Sequence, residues 1–551
     1  MGGKTGSGKS QRVVTGGQVG LDLGVAVVAV ARASADVVFC DPDPQRILVG
    51  DGFLGDFVRR PGLEWVVLMR QLLREQDWSD YVARYKPGGR HPYHPAGMMG
   101  LILLGFMTGR TSLRQLEHLA RTDLQAWWLT GGVMPDYSSL CRFINRHRED
   151  LTDTTFENLT RTIMIRLGST AESLAVDGTV VQAAASRLRT LKQEAAAQAA
   201  TEARAAAAAA PDNATLASRA ELAEQAATIV EQRNAARLAK GRAAEARVAP
   251  SEPEAVIQPL KQGGTAPSYK PSVAVNKDRF ITGHEVDPSN ESVQVAKILD
   301  QSQRVAGVAA LEGLMDSGYC NATVLEAAEQ RHLDLLCPEG RATDPQGGSE
   351  KKTKYFGKAR FEYDADQDAY LCPAGRLLKR AHRVAAIGSN PGHTTYRSVG
   401  CRDCPLAAQC KKPVTVYRTL QRYDHDDKKA EHREKMRNPD VKERYRKRQG
   451  RVEPVHGEQK HIQGMQRFRR RGLGNVKLEY SLHCMAHNLR RFVAICRRRA
   501  RPGAGSNRPR RRGIRPKRAM AAARPPQRRH LHRLPPRFLA QRRPLRYLAL
   551  R

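Results

Sequence analysis

From Lys192 to about Val248 the chain is built almost wholly of Ala, Glu, Arg and Gln, with Pro211-Asp212-Asn213 as its one break. Such a composition favours helix, and a single break divides it into two long helices that fold back as an antiparallel hairpin. A solvated linker helix is the other reading of the same residues. The flanks decide where the block sits. Ser173 to Ala183 reads as a strand, with Leu174, Val176, Val180 and Val181 around Asp177-Gly178-Thr179. Beyond the block, Ser272 to Val286 reads as two strands about Asn276-Lys277-Asp278, and Leu311 to Met315 as a short buried strand ending at Asp316. Strands alternating with helices argue for an α/β body. The expectation is therefore a body formed by residues 170–190 and 251–495, interrupted by a helical insertion at 191–250.

Ahead of this body, Gly55 to Gln76 and Pro95 to Gly109 carry apolar residues at helical spacing, separated by Lys86-Pro87-Gly88-Gly89. Residues 46–165 are expected to form an all-helical amino-terminal domain. Within it, Ser112 to Trp128 and Pro135 to Arg148 read as two helices joined at Gly131-Gly132, the second capped by Ser138. That is the pattern of a helix-turn-helix, in which Arg142, Asn145, Arg146 and Arg148 face DNA. A plain helical hairpin with a solvated basic face fits equally.

At 551 residues the chain is long enough for about three units. Its 92 Lys and Arg against 56 Asp and Glu leave a formal charge of +36. Such an excess repels itself unless a polyanion shares the surface, and its spread along the chain favours nucleic acid over a membrane face. No stretch approaches the roughly 18–20 apolar residues of a membrane span. Residues 1–45 read as a flexible leader. In it, Gly3 to Ser10 matches the phosphate-binding loop pattern, but only two residues precede Gly3, so no strand can lead into the loop. The apolar run Gly24 to Ala31 mimics a secretory signal, yet Asp22 and Arg32 interrupt it. Residues 497–551, rich in Arg and Pro and free of acidic residues, read as a basic tail that is disordered unless bound to polyanion.

Asp177 sits in an apolar strand context where an unpaired charge is costly, and Asp316 ends another such run. Carboxylates at strand ends are what phosphodiester chemistry uses to hold divalent ions. A turn or helix cap is the ordinary role of an aspartate in either place. Glu453 lies among Tyr445, Arg448, Arg451 and Lys460, which suits either a surface ion pair or a phosphate-gripping face beside a metal ligand. Cys372, Cys401, Cys404 and Cys410 form a separate set, whose CxxC pair suits a structural zinc in a module spanning 365–415. Free reduced thiols are the alternative. Cys40, Cys141, Cys320, Cys337, Cys484 and Cys496 show no pairing pattern.

Six ordered blocks carry a resemblance: His91-Pro92-Tyr93-His94-Pro95, Pro135-Asp136-Tyr137-Ser138, Asp177-Gly178-Thr179, Asp316-Ser317-Gly318-Tyr319, Val452-Glu453-Pro454-Val455, and Gly472-Leu473 leading to Ala486-His487-Asn488-Leu489. Together they resemble the bacterial insertion-sequence DDE transposases, over roughly Ile47 to Val493, in the branch whose third acidic residue lies in a Tyr, Arg, Glu, Lys signature. The resemblance implies an RNase H-like catalytic domain in which Asp177, Asp316 and Glu453 bind Mg²⁺ or Mn²⁺. It implies that Tyr445, Arg448 and Lys460 contact the transposon end, and that the partners are the element's inverted repeats and target double-stranded DNA. It further implies a homodimer at synapsis, acting in the bacterial cytoplasm at the nucleoid. The Tyr445 to Glu453 gap is one residue longer than the strictest signature, so Arg446, Arg448 and Arg451 compete for the arginine role. His456 replaces an expected aromatic residue and Ser317 a small apolar one. A nuclease of the same fold and a non-catalytic DNA-binding relic are the rival readings.

Overall fold

Helical periodicity between Leu54 and Leu167 resolves into nine helices in the computed structural model, which describes residues 37–239, 241–339, 355–386 and 392–499. They are α1 (Leu54–Val58), α2 (Trp65–Arg74), α3 (Ser79–Val82), α4 (Pro95–Met107), α5 (Leu113–Thr122), α6 (Leu124–Thr130), α7 (Tyr137–Arg146), α8 (Arg148–Thr152) and α9 (Thr154–Leu167). Helix α4 is buried on every side, as its unbroken apolar sequence requires. His94 caps it by accepting from the Ala96 amide at 3.2 Å, and Pro95 takes the first turn, where its missing N–H costs nothing.

Three details of this region differ from the sequence reading. A two-residue hairpin, β1 (Leu48–Val49) with β2 (Gly52–Phe53), precedes α1, so the region is not wholly helical. The helix expected over 112–128 breaks at Asp123, whose extended backbone ends α5 and whose carboxylate caps α6 through the Gln125 and Ala126 amides. Asp136, not Ser138, caps α7: it accepts from the Ser139 amide at 2.6 Å, and the Ser138 hydroxyl donates to it in turn. Gly131 turns the chain with φ +71, and a Cβ there would collide with the Pro42 carbonyl.

Residues 37–45, read as leader, dock against this layer. The Cys40 amide donates to the Pro92 carbonyl at 2.7 Å, the His94 amide donates back to Cys40, and Asp41 pairs with Arg74. The phosphate-loop pattern and the apolar run of the leader, and the tail from residue 500, lie outside the described residues. Arg497, Arg498 and Arg499, assigned to that tail, form the last turn of a helix.

The body is a seven-stranded sheet. Strands β3 (Ser173–Gly178), β6 (Thr265–Val275) and β7 (Ile281–Asp287) run antiparallel, while β8 (Glu312–Leu314) and β9 (Asp334–Leu336) run parallel to β3, giving the order β7-β6-β3-β8-β9. The long first half of β6 also pairs with β4 (Val181–Gln182) and β5 (Val256–Pro259). Between β4 and β5, α10 (Gln193–Ala209) and α11 (Ala214–Leu238) form the hairpin, closed at its base where Leu191 and Val248 exchange both backbone hydrogen bonds. Its small cluster of Ala196, Ala226, Val230 and Val248 is separate from the main core.

After β7 come α12 (Val295–Ala306) and α13 (Ala322–Gln330). A second sheet then appears that sequence patterning did not reveal. Strands β10 (Glu362–Asp364), β11 (Ala369–Leu371), β12 (Leu377–Val384), β13 (His393–Ser398) and β14 (Thr419–Tyr423) form an antiparallel meander around Phe361, Tyr370, Leu378, Tyr396 and Leu420. Most of β12 is exposed, so it lacks the alternation that marks a half-buried strand. The short α14 (Ala407–Cys410) lies before β14.

The chain closes with α15 (Asp426–Arg437), α16 (Pro439–His461) and α17 (Leu473–Arg499). Helix α17 is buried around most of its circumference from Val476 to Val493 and packs on both the helical layer and the sheet. One continuous core therefore runs from Leu54 to Val493. Asn488 is its polar pin. Its amide donates to Thr160 Oγ1 of α9 at 3.0 Å and to the Ile281 carbonyl of β7 at 2.8 Å, and it accepts from the Ile281 amide at 2.9 Å.

Candidate active site

Strand register brings the two aspartates together. Ala175 lies opposite Leu314 in the parallel pair of β3 and β8, so Asp177 and Asp316, each two residues further on, emerge side by side at the carboxyl ends of their strands. Ligands of open α/β sheets bind at such ends. Asp316 also caps the turn that follows, its Oδ1 accepting from the Gly318 amide at 2.9 Å. One carboxyl oxygen thus holds the turn while the other faces Arg448.

Helix α16 lies across these strand ends with Val452, Val455, His456 and Gln459 inward. The same face carries Arg448, whose guanidinium stands 3.0 Å from Asp177 Oδ1 and 3.9 Å from Asp316 Oδ2. Of the three competing arginines only this one reaches the aspartates. Arg446 pairs with Glu443 on the exposed side at 2.8 Å, and Arg451 donates to Ser173 Oγ at 2.7 Å, fastening α16 to β3. Tyr445, half-buried, packs against the core one turn before Arg448. Lys460 donates to Thr179 Oγ1 at 2.6 Å and to the Val180 carbonyl at 3.1 Å, tying down the segment that follows Asp177.

Burial pushes the Asp177 carboxyl up to about 6, Asp316 and Glu291 add to the rise, and Arg448 opposes it. Glu291 is the carboxylate that sequence reading missed. It opens the short 3₁₀ turn after β7, pairs with Lys270 at 3.7 Å, and lies so close to β3 that a Cβ on Gly178 would run into its Oε2. Its sequence context carries no signal.

Glu453 is not drawn into this group. It is exposed on α16, where Gln449 donates to its Oε1 at 2.9 Å. Among the described residues no three His, Cys, Asp or Glu side chains are gathered into a ready-made metal cage. His456 is buried with its Nε2 3.8 Å from Asp177 Oδ2 and with neither ring nitrogen hydrogen-bonded. Burial lowers it to about 3, with Lys460 and Lys261 adding to the effect, so the ring is neutral near pH 7. Beneath Asp316, the Cys337 thiol donates to the Asp316 carbonyl at 2.8 Å and Cys320 lies beside it.

The other expected site residues sit apart from the carboxylates in sequence and on different elements. Arg142, Asn145 and Arg146 share the exposed face of α7, opposite the buried Leu140, Phe143 and Ile144, and Arg148 is exposed at the start of α8. Arg142 leans on Ser139, and the Arg146 guanidinium lies 4.5 Å over the Tyr85 ring. The four cysteines line one cavity at the end of the second sheet. No helix among the described residues is long and apolar enough to cross a membrane.

Comparison with known families matches two segments. Residues 371–493 match the family described as Transposase DDE domain, and residues 64–146 match the Transposase domain (DUF772). No curated protein and no solved structure matches the chain. The first segment holds Tyr445, Arg448, Glu453, Lys460 and the four cysteines, the second holds Arg142, Asn145 and Arg146, and Asp177 and Asp316 lie between the two. These two transposase domains, in order around a pair of aspartates, support an insertion-sequence DDE transposase.

Proposed function

We propose that this transposase cuts and rejoins DNA at the ends of its insertion sequence in a divalent-metal-dependent reaction, with Asp177, Asp316 and Glu453 as its catalytic carboxylates. The observation that carries the reading is the parallel register that sets Asp177 beside Asp316 with Arg448 between them. The strand order β7-β6-β3-β8-β9, antiparallel through β3 and parallel beyond it, supports an RNase H-like body. The family uses divalent ions, and an all-oxygen donor set at a largely buried strand end fits a hard cation such as Mg²⁺ or Mn²⁺. Asp177 and Asp316 would hold it, joined by Glu453 once that side chain leaves Gln449. When bound, the metal neutralises charge on the attacking and leaving oxygens.

The remaining work falls to the chain itself. Water attacks the phosphodiester at the element's end, leaving a 3′ hydroxyl that attacks a target phosphodiester in turn, so bonds are exchanged without ATP. Arg448 offers its guanidinium to the phosphate from between the aspartates, Tyr445 and Lys460 grip the end from the same helix, and the basic face of α7 with Arg148 holds the repeat. Double-stranded DNA is the partner at both steps, two copies of the chain pair the two ends, and the setting is the cytoplasm at the nucleoid.

A non-catalytic DNA-binding relic is favoured by two observations, the exposed Glu453 and the buried, neutral His456 standing beside Asp177. Strand cleavage and joining on DNA carrying the element's ends, with Mg²⁺, separates the readings. Joined product from the wild type, abolished by each of Asp177→Ala, Asp316→Ala and Glu453→Ala, supports the transposition chemistry. Cleaved but unjoined ends would make the chain a nuclease. Binding without cleavage by any form would make it a relic.

A further inference from the structure

Among the described residues the second sheet has a small core of its own. Five buried apolar side chains serve a five-stranded meander, and the half-buried Cys372 and Cys410 pack against them. Small scaffolds with so little core are usually stapled by disulfides or metal. None of the described cysteines is in a disulfide.

Cys372, Cys401, Cys404 and Cys410 come from three separate places, the end of β11, the loop after β13 and the last residue of α14, yet all four line one cavity of about 20 Å³. A cavity of that size admits roughly one water-sized occupant. Phe356, Phe361 and Leu406 add apolar surface to the wall, and Arg376, Lys411 and Arg418 line it too, bringing positive charge that suits a cluster of thiolates. The turn at Cys372 is shaped toward sulfur. The Cys372 amide donates to the Arg376 carbonyl at 2.8 Å, the Gly375 amide donates to the Cys372 carbonyl at 2.8 Å, and the Arg376 amide donates to Cys372 Sγ at 3.3 Å. Gly375 makes this turn at φ +72. An amide aimed at a sulfur stabilises the thiolate form that ligates metal.

We propose that these four cysteines bind one Zn²⁺ in tetrahedral S₄ coordination and that this ion staples the second sheet, at a site distinct from the carboxylates. The thiols line the wall without yet forming a closed cage, so binding draws them inward and releases their protons to solvent. Tetrahedral thiolate sites select zinc.

The full chain is purified with zinc, dialysed without chelator and assayed for metal, then loaded with Co²⁺ in a parallel preparation. The expected results are one zinc per chain, the intense thiolate-to-cobalt charge-transfer bands of a tetrahedral S₄ site, and slow alkylation of four cysteines that becomes fast on chelation. Cys404→Ser should lose the metal, and Asp177→Ala should retain it. Because Cys404→Ser could also fail to fold, the alkylation rates of the wild type with and without chelator stand as an independent test. A chain without zinc whose four thiols alkylate equally fast in both conditions would overturn the proposal, as would a Cys401–Cys404 disulfide in the freshly purified protein.

Discussion

Replacing Arg448 by Met removes the cation that faces both aspartates while keeping an apolar stem of similar reach. The Arg448 and Asp177 side chains are 14% and 19% exposed, so their pair is largely desolvated, whereas Asp316 at 43% is open to water. Breaking a buried pair by removing one partner costs about 3–5 kcal/mol, and the access of water at Asp316 places this case near the lower value, about 3 kcal/mol. The cost depends on pH with a definite sign. Asp177 already titrates near 6 in the folded chain against 3.8 ordinarily, so its folded-state proton binding stabilises below the lower value and that benefit is lost as pH rises through the upper one. Without Arg448 the carboxyl moves higher still, so the deficit of the variant is small at pH 4 and full at pH 8. A divalent ion should offset it: occupancy at 100 times the dissociation constant stabilises by about 2.7 kcal/mol. Urea unfolding of both proteins at the two pH values, with and without Mg²⁺, reads all three quantities. An equal deficit at pH 4 and pH 8, together with no differential response to Mg²⁺, would refute the view that Arg448 balances the two aspartates.

Glu291→Gln should lower the Asp177 titration, since Glu291 is one of the charges that raise it, and weaken Mg²⁺ binding roughly tenfold, about 1.4 kcal/mol; calorimetric titration showing unchanged affinity would limit Glu291 to its pair with Lys270. Lys460→Met frees Thr179 and the Val180 carbonyl and should cost about 1–2 kcal/mol in denaturant unfolding. Arg142→Ala with Arg146→Ala should weaken binding to the element's end about tenfold and to unrelated DNA much less, whereas equal loss on both would reduce α7 to a solvated basic face. His147, His284, His456 and His483 are each held near 3 by burial, so unfolding takes up protons between about pH 6.5 and 3. Stability should therefore fall as pH drops through that window, by up to about 1.4 kcal/mol per unit for each histidine, and an unfolding free energy that is flat from pH 7 to 5 would contradict their burial as neutral rings.

The aspartates were legible because a carboxylate closing a short apolar run is costly unless something uses it, and Asp177 and Asp316 each close one. Their adjacency was not legible, since it follows from the register of Ala175 opposite Leu314 across more than a hundred residues of chain. The hairpin's composition revealed α10 and α11 with their break, because alanine-rich sequence leaves little alternative to helix. Glu291 stayed hidden, as only the tertiary approach of the turn after β7 makes it a neighbour of β3. The second sheet was missed for the opposite reason to the hairpin. Its strands are short and one is exposed along most of its length, so the period-two signal never accumulates. The signature around Tyr445, Arg448, Glu453 and Lys460 falls on one helix, α16, but could not say which side chains turn inward. Arg448 and Lys460 do, and Glu453, five residues past Arg448, is exposed beside Pro454.

The shared core bears on how recognition reaches the chemistry. Helix α17 buries side chains against both the helical layer and the sheet, and Asn488 bonds α9 and β7 with one amide group. The same residue satisfies the Ile281 amide and carbonyl on β7, which leaves that part of the strand unable to recruit another chain. A basic face on α7 and a carboxylate pair on β3 and β8 that belong to one packed core keep a fixed relation, because close-packed interiors transmit displacement rather than absorb it. On the proposed function, an end bound along α7 would have its reactive phosphate set by geometry rather than by search. The helical hairpin and the second sheet, each with its own small cluster, stand outside that core and can change length or contact other partners without moving the aspartates. On that reading the division would place specificity and chemistry on one packed core and leave variation to the two appendages.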